Sequence, residues 1–147
     1  MNIFISCVSK KRDSTCKACE LYISDLFVKS LAYAKTLNGH IRIFSAKYGV
    51  LELDDIVSPY NITLNLMNEA ERKKWANKVI IQLQEKKVDF NEKTIFLVGK
   101  NYRKYLISYF SNYEIPLKGL PIGKQLAWYN NQLMKISDSY YNKTFLW

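Results

Sequence analysis

The chain reads as short apolar runs alternating with segments whose apolar positions recur every three or four residues. Asn2 to Ser9 is a run of strand length that ends in Lys10, Lys11 and Arg12. Leu21 to Leu37 places Ile23, Leu26, Phe27, Leu31, Ala34 and Leu37 on one helical face, and Gly39 follows as a C-cap glycine. His40 to Ser45 is a second strand. Residues 46–67, with Pro59, show no periodicity and predict a long irregular loop. Asn68 is the N-cap of a helix running to about Lys86, with Trp75, Val79, Ile80 and Leu83 inward.

The pattern continues in the second half. Thr94 to Val98 is a bare apolar run of the kind buried on both faces. Tyr102 to Phe110 predicts a helix, Tyr113 to Leu117 a fourth strand. Ile122 to Ile136 predicts a helix with Ile122, Leu126, Tyr129, Leu133 and Ile136 inward. Residues 137–147 carry no period and end in Phe145, Leu146 and Trp147, which predicts a tail that packs or makes a contact. Alternation of this kind predicts an α/β fold. The expected form is one three-layer domain over residues 1–147 with a core at 2–136. Its mostly parallel four-stranded sheet would carry helices on both faces.

Composition narrows the setting. At 147 residues, 48% hydrophobic and 24% charged, the chain is long enough for one core and too apolar for disorder. No apolar run approaches the length of a membrane span, and no basic segment precedes the first one, so no membrane is expected and a cytoplasmic location is. Lys and Arg exceed Asp and Glu by 9, which favours an anionic partner such as nucleic acid, a nucleotide or a membrane surface, without choosing among them.

The topology turns that excess into a place. Ligands of parallel α/β sheets bind outside the carboxyl ends of the strands. Lys10, Lys11 and Arg12 follow the first strand and Lys47 with Tyr48 the second. Gly99, Lys100, Tyr102 and Arg103 follow the third. Lys118, Gly119, Gly123, Lys124 and Gln125 follow the fourth. These cations would converge on one edge, where glycines admit backbone N–H groups and helix N-termini add positive charge. The alternative is that loops are simply where Lys is placed. Tyr48, Tyr60 and Tyr102 stand beside cations or Pro59, and either stack a base or lid the core.

Other chemistry has thin support. Gly119 to Gln125 is one residue short of a P-loop and has Gln125 where Ser or Thr should stand, and no GxGxxG is present. A single His, His40, excludes most zinc-hydrolase chemistry. Cys16 and Cys19 form a CxxC with only Cys7 and His40 as further ligands, so free thiols are expected, with no metal and no cofactor. Glu52, Asp54 and Asp55 cluster in the long loop, either solvated or, near a cationic pocket, as general acid or base.

A resemblance gathers several of these segments. Ile5 to Lys11, Glu20 to Phe27, Ser45 to Leu51, Pro59-Tyr60 with Thr63-Leu64, Gly99 to Tyr102, and Pro116 to Gln125 resemble, in order, a small bacterial, archaeal and phage family of unknown function. That family is similar to the YaaA peroxide-stress family. Cys7 to Lys11 also resembles the core motif of archaeosine synthase, without its leading Pro, and uracil-DNA-glycosylase-like folds stand nearby. The resemblance implies a nucleic-acid- or nucleobase-directed protein. As an enzyme of glycosidic-bond cleavage or base exchange, it would use Lys11 or Lys10 as the reactive amine, with Ser9 beside them. Ser6, Cys7 and Ser45 would give polar contacts. Lys47, Lys100 and Lys124 with Gly99, Gly123 and Gln125 would hold phosphate, and Tyr48, Tyr60 or Tyr102 would stack the base. The alternative is a non-catalytic DNA- or RNA-binding protein of stress response or phage defence. A lesser reading is a protein-interaction module using Trp147.

Overall fold

The computed structural model describes the backbone of residues 1–145 and the side-chain surroundings of residues 1–139. Its elements are β1 (Asn2–Ser6), β2 (Cys16–Lys17), α1 (Ala18–Leu21), α2 (Asp25–Lys35), β3 (His40–Ser45), β4 (Gly49–Glu52), β5 (Ile56–Val57), α3 (Glu69–Glu85), β6 (Thr94–Leu97), α4 (Lys100–Arg103), β7 (Tyr113–Glu114) and α5 (Ile122–Phe145). Five strands form a mixed, mostly parallel sheet in the order β4-β3-β1-β6-β7. β1 pairs in parallel with β3 and β6, β6 in parallel with β7, and only β4 runs antiparallel, against β3. β2 and β5 make a separate two-stranded pair.

β1 is the middle of the sheet. Its Ile3, Phe4 and Ile5 are wholly buried, and Phe4 stacks on Phe44 of β3 at 4.5 Å between ring centroids. Truncating such a side chain costs about 3–5 kcal/mol. α2 packs against β1 and α5, and α3 against β4. α3 starts where expected, with Asn68 Oδ1 accepting from Glu71 N–H at 2.8 Å and Glu71 answering in a capping box. Trp75, Val79, Ile80 and Leu83 are buried, as their spacing predicts.

Four expectations are corrected. The sheet has five strands, because residues 46–67 contain β4, and the same stretch holds β5, which pairs with β2 apart from the main sheet. The chain turns over Ala46 to Tyr48, with Tyr48 N–H donating to Ser45 Oγ at 3.1 Å, and Gly49 takes φ +78 to start β4. The helix expected from Leu21 is two helices, α1 and α2. Tyr22 is extended because it bridges Lys11, and Ser24 then caps α2 by accepting from Phe27 N–H at 3.3 Å. Gly39 is no C-cap. Asn38 holds the left-handed conformation at φ 55, while a Cβ on Gly39 would lie 2.8 Å from Ile3 Cδ1. The helix expected over Tyr102 to Phe110 is the single turn of α4 followed by a 3-10 turn at Ile107–Tyr109.

The last helix is also used differently from its pattern. α5 continues to Phe145, well past Ile136. Its fully buried anchor is Tyr129, which with Trp128 meets Tyr33 of α2 at 5.9 and 5.0 Å. Ile122 is 64% exposed and Ile136 is also exposed, because this aromatic contact is narrower than the apolar stripe. The expected contact through Leu146 and Trp147 lies outside the described residues. No helix among the described residues is long and apolar enough to cross a membrane.

Candidate functional site

The chain leaves β1 for β3 on one side and later returns to β6 on the other, so the crevice of this sheet opens at the carboxyl end of β1. A pocket of about 390 Å³ lies there. That is within the range of small-molecule sites. Ser6, Cys7, Ser9, Lys11, Gly99 and Tyr102, six of the residues expected in a site, line it.

Among the described residues Lys11 is the single cation lining the pocket. The loop that carries it is fixed at both sides: Arg12 N–H donates to Leu21 O at 2.9 Å and Ile23 N–H to Lys10 O at 3.0 Å. Lys11 Nζ donates to Ser9 O at 3.2 Å and sits over the Tyr60 ring, 4.5 Å from its centroid. Among the described residues no carboxylate pairs with it. Burial lowers its pKa from the ordinary lysine value, against the opposing influence of Cys7. The buried Cys7 thiol donates to Tyr102 Oη at 3.2 Å. Burial, then proximity to Cys7, pushes the Tyr102 hydroxyl well above its usual range.

A hydroxyl cluster adjoins the pocket through Lys11. Ser45 Oγ donates to Tyr60 Oη at 2.8 Å, and Tyr60 shares a 2.7 Å hydrogen bond with Tyr22. Burial first, and Cys7 next, raise Tyr22 to about 12 and Tyr60 further, so both stay protonated at neutral pH. Tyr48 stands edge-on to Tyr60 at 5.5 Å and donates to Ser58 O at 2.9 Å. Tyr102 likewise stands edge-on to Trp75 at 5.4 Å. These tyrosines are built into the wall by their hydroxyls and neighbours, and Tyr60 already has an ammonium on its face.

The remaining expected residues lie outside the pocket lining. Lys10 is exposed. Lys47 sits over Tyr48, 5.3 Å from the ring centroid, and so shares the tyrosine cluster with Lys11. Lys100 and Lys124 are exposed at the starts of α4 and α5. Gln125 turns back on its own loop, donating to Leu120 O at 2.7 Å, and Gly123 is open to solvent. The acidic cluster is a separate structural unit. Glu52 joins His40, Arg42 and Lys86, Asp54 meets Lys17, and Asp55 accepts from Glu52 N–H. No grouping of His, Cys, Asp and Glu among the described residues could hold a metal ion, and Cys16 and Cys19 are free thiols.

Sequence reasoning missed Ser24, Ser30, Thr63 and Asn65, which add polar groups to the lining. Ser30 carried a signal: it falls among the inward positions of α2 between Phe27 and Ala34, a polar residue on an apolar stripe. Asn65 is held by Asn101 Nδ2 at 2.8 Å and Thr63 belongs to the same segment, in the stretch read only as irregular. The lining therefore combines neutral hydrogen-bonding groups, one thiol, one amine and an apolar remainder that includes Leu26, Phe27 and Leu97.

No curated protein matches this sequence. Residues 3–131 do match a family, and over that span, which includes the whole pocket lining, the chain belongs to the family of unknown function DUF6884.

Proposed function

We propose that the pocket at the end of β1 binds a nucleobase or nucleotide and that the protein acts on it, with Lys11 as the reactive amine. One observation carries this reading. Among the described residues Lys11 is the single cation lining the pocket and meets no carboxylate, and it is half-buried and shifted by burial towards its neutral, nucleophilic form. Hydroxyls and amides around it match the donors and acceptors of a base edge, and the pocket volume accommodates one. In glycosidic-bond cleavage the Lys11 nitrogen attacks the anomeric carbon. The C–N bond to the base breaks and the base leaves with one proton from the Lys11 nitrogen. The sugar ring then opens at the bond between the anomeric carbon and the ring oxygen, which takes the second amine proton, and the opened sugar remains on Lys11 as an imine that water hydrolyses.

The setting we infer is cytoplasmic. The layering we infer is three-deep, with α2 and α5 on one face of the sheet and α3 on the other. This is supported by the contacts of α2 with β1 and α5 and of α3 with β4. The second reading, a non-catalytic DNA- or RNA-binding protein, is favoured by the placement of Lys47, Lys100 and Lys124 outside the pocket.

Mass spectrometry after incubation with plain and modified DNA, RNA and nucleotides separates the two, with borohydride added to trap an imine. Catalysis predicts a released base and a reduced adduct on Lys11, both abolished in Lys11→Ala while binding falls modestly. No product from any pool, with binding lost equally for every lysine removed, refutes the enzyme.

A further inference from the structure

The pocket takes one base, yet six cations, Arg72, Lys73, Lys74, Lys78, Lys100 and Arg103, lie on α3 and α4. Between Arg72 and Lys78 the chain reads Arg-Lys-Lys-Trp-Ala-Asn-Lys, with no acidic residue. Trp75 and Ala76 are buried, which leaves Lys73, Lys74 and Lys78 exposed. At 1.5 Å per residue Lys73 and Lys78 are about 7.5 Å apart along the axis. Lys78 Nζ donates to Lys47 O at 2.9 Å, which brings Lys47 to one end of the row. At the other end Lys73 and Lys104 both lie over the Tyr105 ring, at 5.5 and 5.3 Å. The two nearby carboxylates are already engaged: Glu69 with Lys104 and Arg72, and Glu71 in the helix cap.

This row is tied to the pocket wall. Arg72 donates to Leu64 O at 2.9 Å and to Asn65 O at 3.2 Å, and Asn101 of α4 bonds to Asn65. The rim so held carries Leu66, 90% exposed, with Ile62 exposed beside the pocket. A large apolar side chain that far into water, next to a base-sized cavity and tied through Arg72 to a helix bearing three exposed lysines, matches an alternation of bases and phosphates. Enclosure of the pocket selects a strand whose bases are already unstacked.

We infer that α3 and α4 form a shelf for the phosphodiester backbone of a single-stranded nucleic acid, which delivers one base to the pocket. The shelf rests on the pocket reading for its destination, and Lys73, Lys74 and Lys78 are its principal contacts. Neutralised phosphates release counterions, so affinity falls with salt by about 0.7 in log–log slope for each contact on a single strand.

The test uses the full chain and a fluorescein-labelled 12-mer of thymidylate, read by anisotropy from low to high salt. Thymidine monophosphate is titrated by calorimetry alongside it. Lys73→Ala/Lys74→Ala/Lys78→Ala should lower the salt slope by about 2 and weaken the 12-mer about tenfold or more at low salt. It should leave the mononucleotide unchanged, whereas Lys11→Ala should weaken the mononucleotide. A 12-mer bound no more tightly than the mononucleotide, or a triple variant with the wild-type slope, overturns the shelf and leaves the pocket reading intact. Mononucleotide binding indifferent to Lys11→Ala, with the 12-mer still dependent on the three lysines, overturns the pocket reading and keeps the shelf. Lysine-dependent binding to phosphatidylserine vesicles with none to the 12-mer overturns the shelf in favour of a membrane surface.

Discussion

Replacing Glu52 with Gln tests how the edge of the sheet is held, and its effect has a pH signature. Glu52 ends β4 and accepts from Arg42 Nε at 2.9 Å and from His40 Nε2 at 2.7 Å, while Lys86 Nζ lies 3.2 Å away. Arg42 is buried, so loss of the carboxylate leaves a buried guanidinium without its counter-charge. Burial alone would raise the Glu52 pKa, but hydrogen bonds from His40 and Arg42 and the Arg42 charge bring it down from 4.5 to about 2. At 1.36 kcal/mol per pH unit that gap is about 3 kcal/mol. The side chain is 31% exposed, and solvent screening reduces the sum to about 1.5 kcal/mol. A depressed carboxylate stabilises the fold above its unfolded pKa, and the contribution disappears as pH falls from about 4.5 to about 2. Urea denaturation of wild type and Glu52→Gln at pH 7 should therefore differ by about 1.5 kcal/mol. The two curves should draw together below pH 4.5 and meet near pH 2. A difference that stays constant from pH 7 to pH 2.5 would refute the ionic account and leave only lost packing.

Three further outcomes are expected. Gly49→Ala places a Cβ 2.1 Å from Gln82 Oε1 at φ +78 and displaces Gln82 from Val50 N–H and Tyr48 O, so the melting temperature should fall by about 5–10 °C in calorimetry. Asn68→Ala removes the capping box of α3 and should cost about 1 kcal/mol in urea denaturation without altering pocket ligands. Tyr22, Tyr60, Tyr102 and Tyr129 are all raised above the ordinary tyrosine value, by burial in each case, so the unfolded chain loses those protons first. The contribution of these tyrosines should be constant up to about pH 10 and be lost beyond it, and a tyrosine titration followed by absorbance should show a late phase that coincides with unfolding.

The parts of the fold legible in the sequence are those where local pattern and tertiary use agree. β1 and β6 carry apolar runs buried on both faces, β3 keeps Ile41, Ile43 and Phe44 around a buried Arg42, and α3 carries its own cap and stripe. The break between α1 and α2 was hidden because it comes from Tyr22 pairing with Lys11 across the pocket mouth, a contact no local period encodes. β4 was hidden because four residues are too short to show alternation. Of the candidate site, Ser6, Cys7, Ser9, Lys11, Gly99 and Tyr102 were reachable because the ends of adjacent parallel strands share one edge. Thr63 and Asn65 were not, since their position depends on Asn101 and Arg72 from distant segments. Strand exits located Lys100 and Lys124 near that edge but could not show which way exposed side chains lie.

The central position of β1 bears on how the protein opens. Ser6 and Cys7 continue a strand laddered on both sides, so exposing their amides to exchange requires parting β3 or β6, a near-global event. The rim at 62–66 is held by the one buried side chain of Leu64, by a few side-chain bonds from Arg72 and Asn101 and by one short 3-10 turn. Deuterium uptake should therefore be fast at the rim and slowest at the floor. A ligand entering this pocket meets a pliant doorway and a rigid base, and its binding should be recorded as protection at the doorway alone.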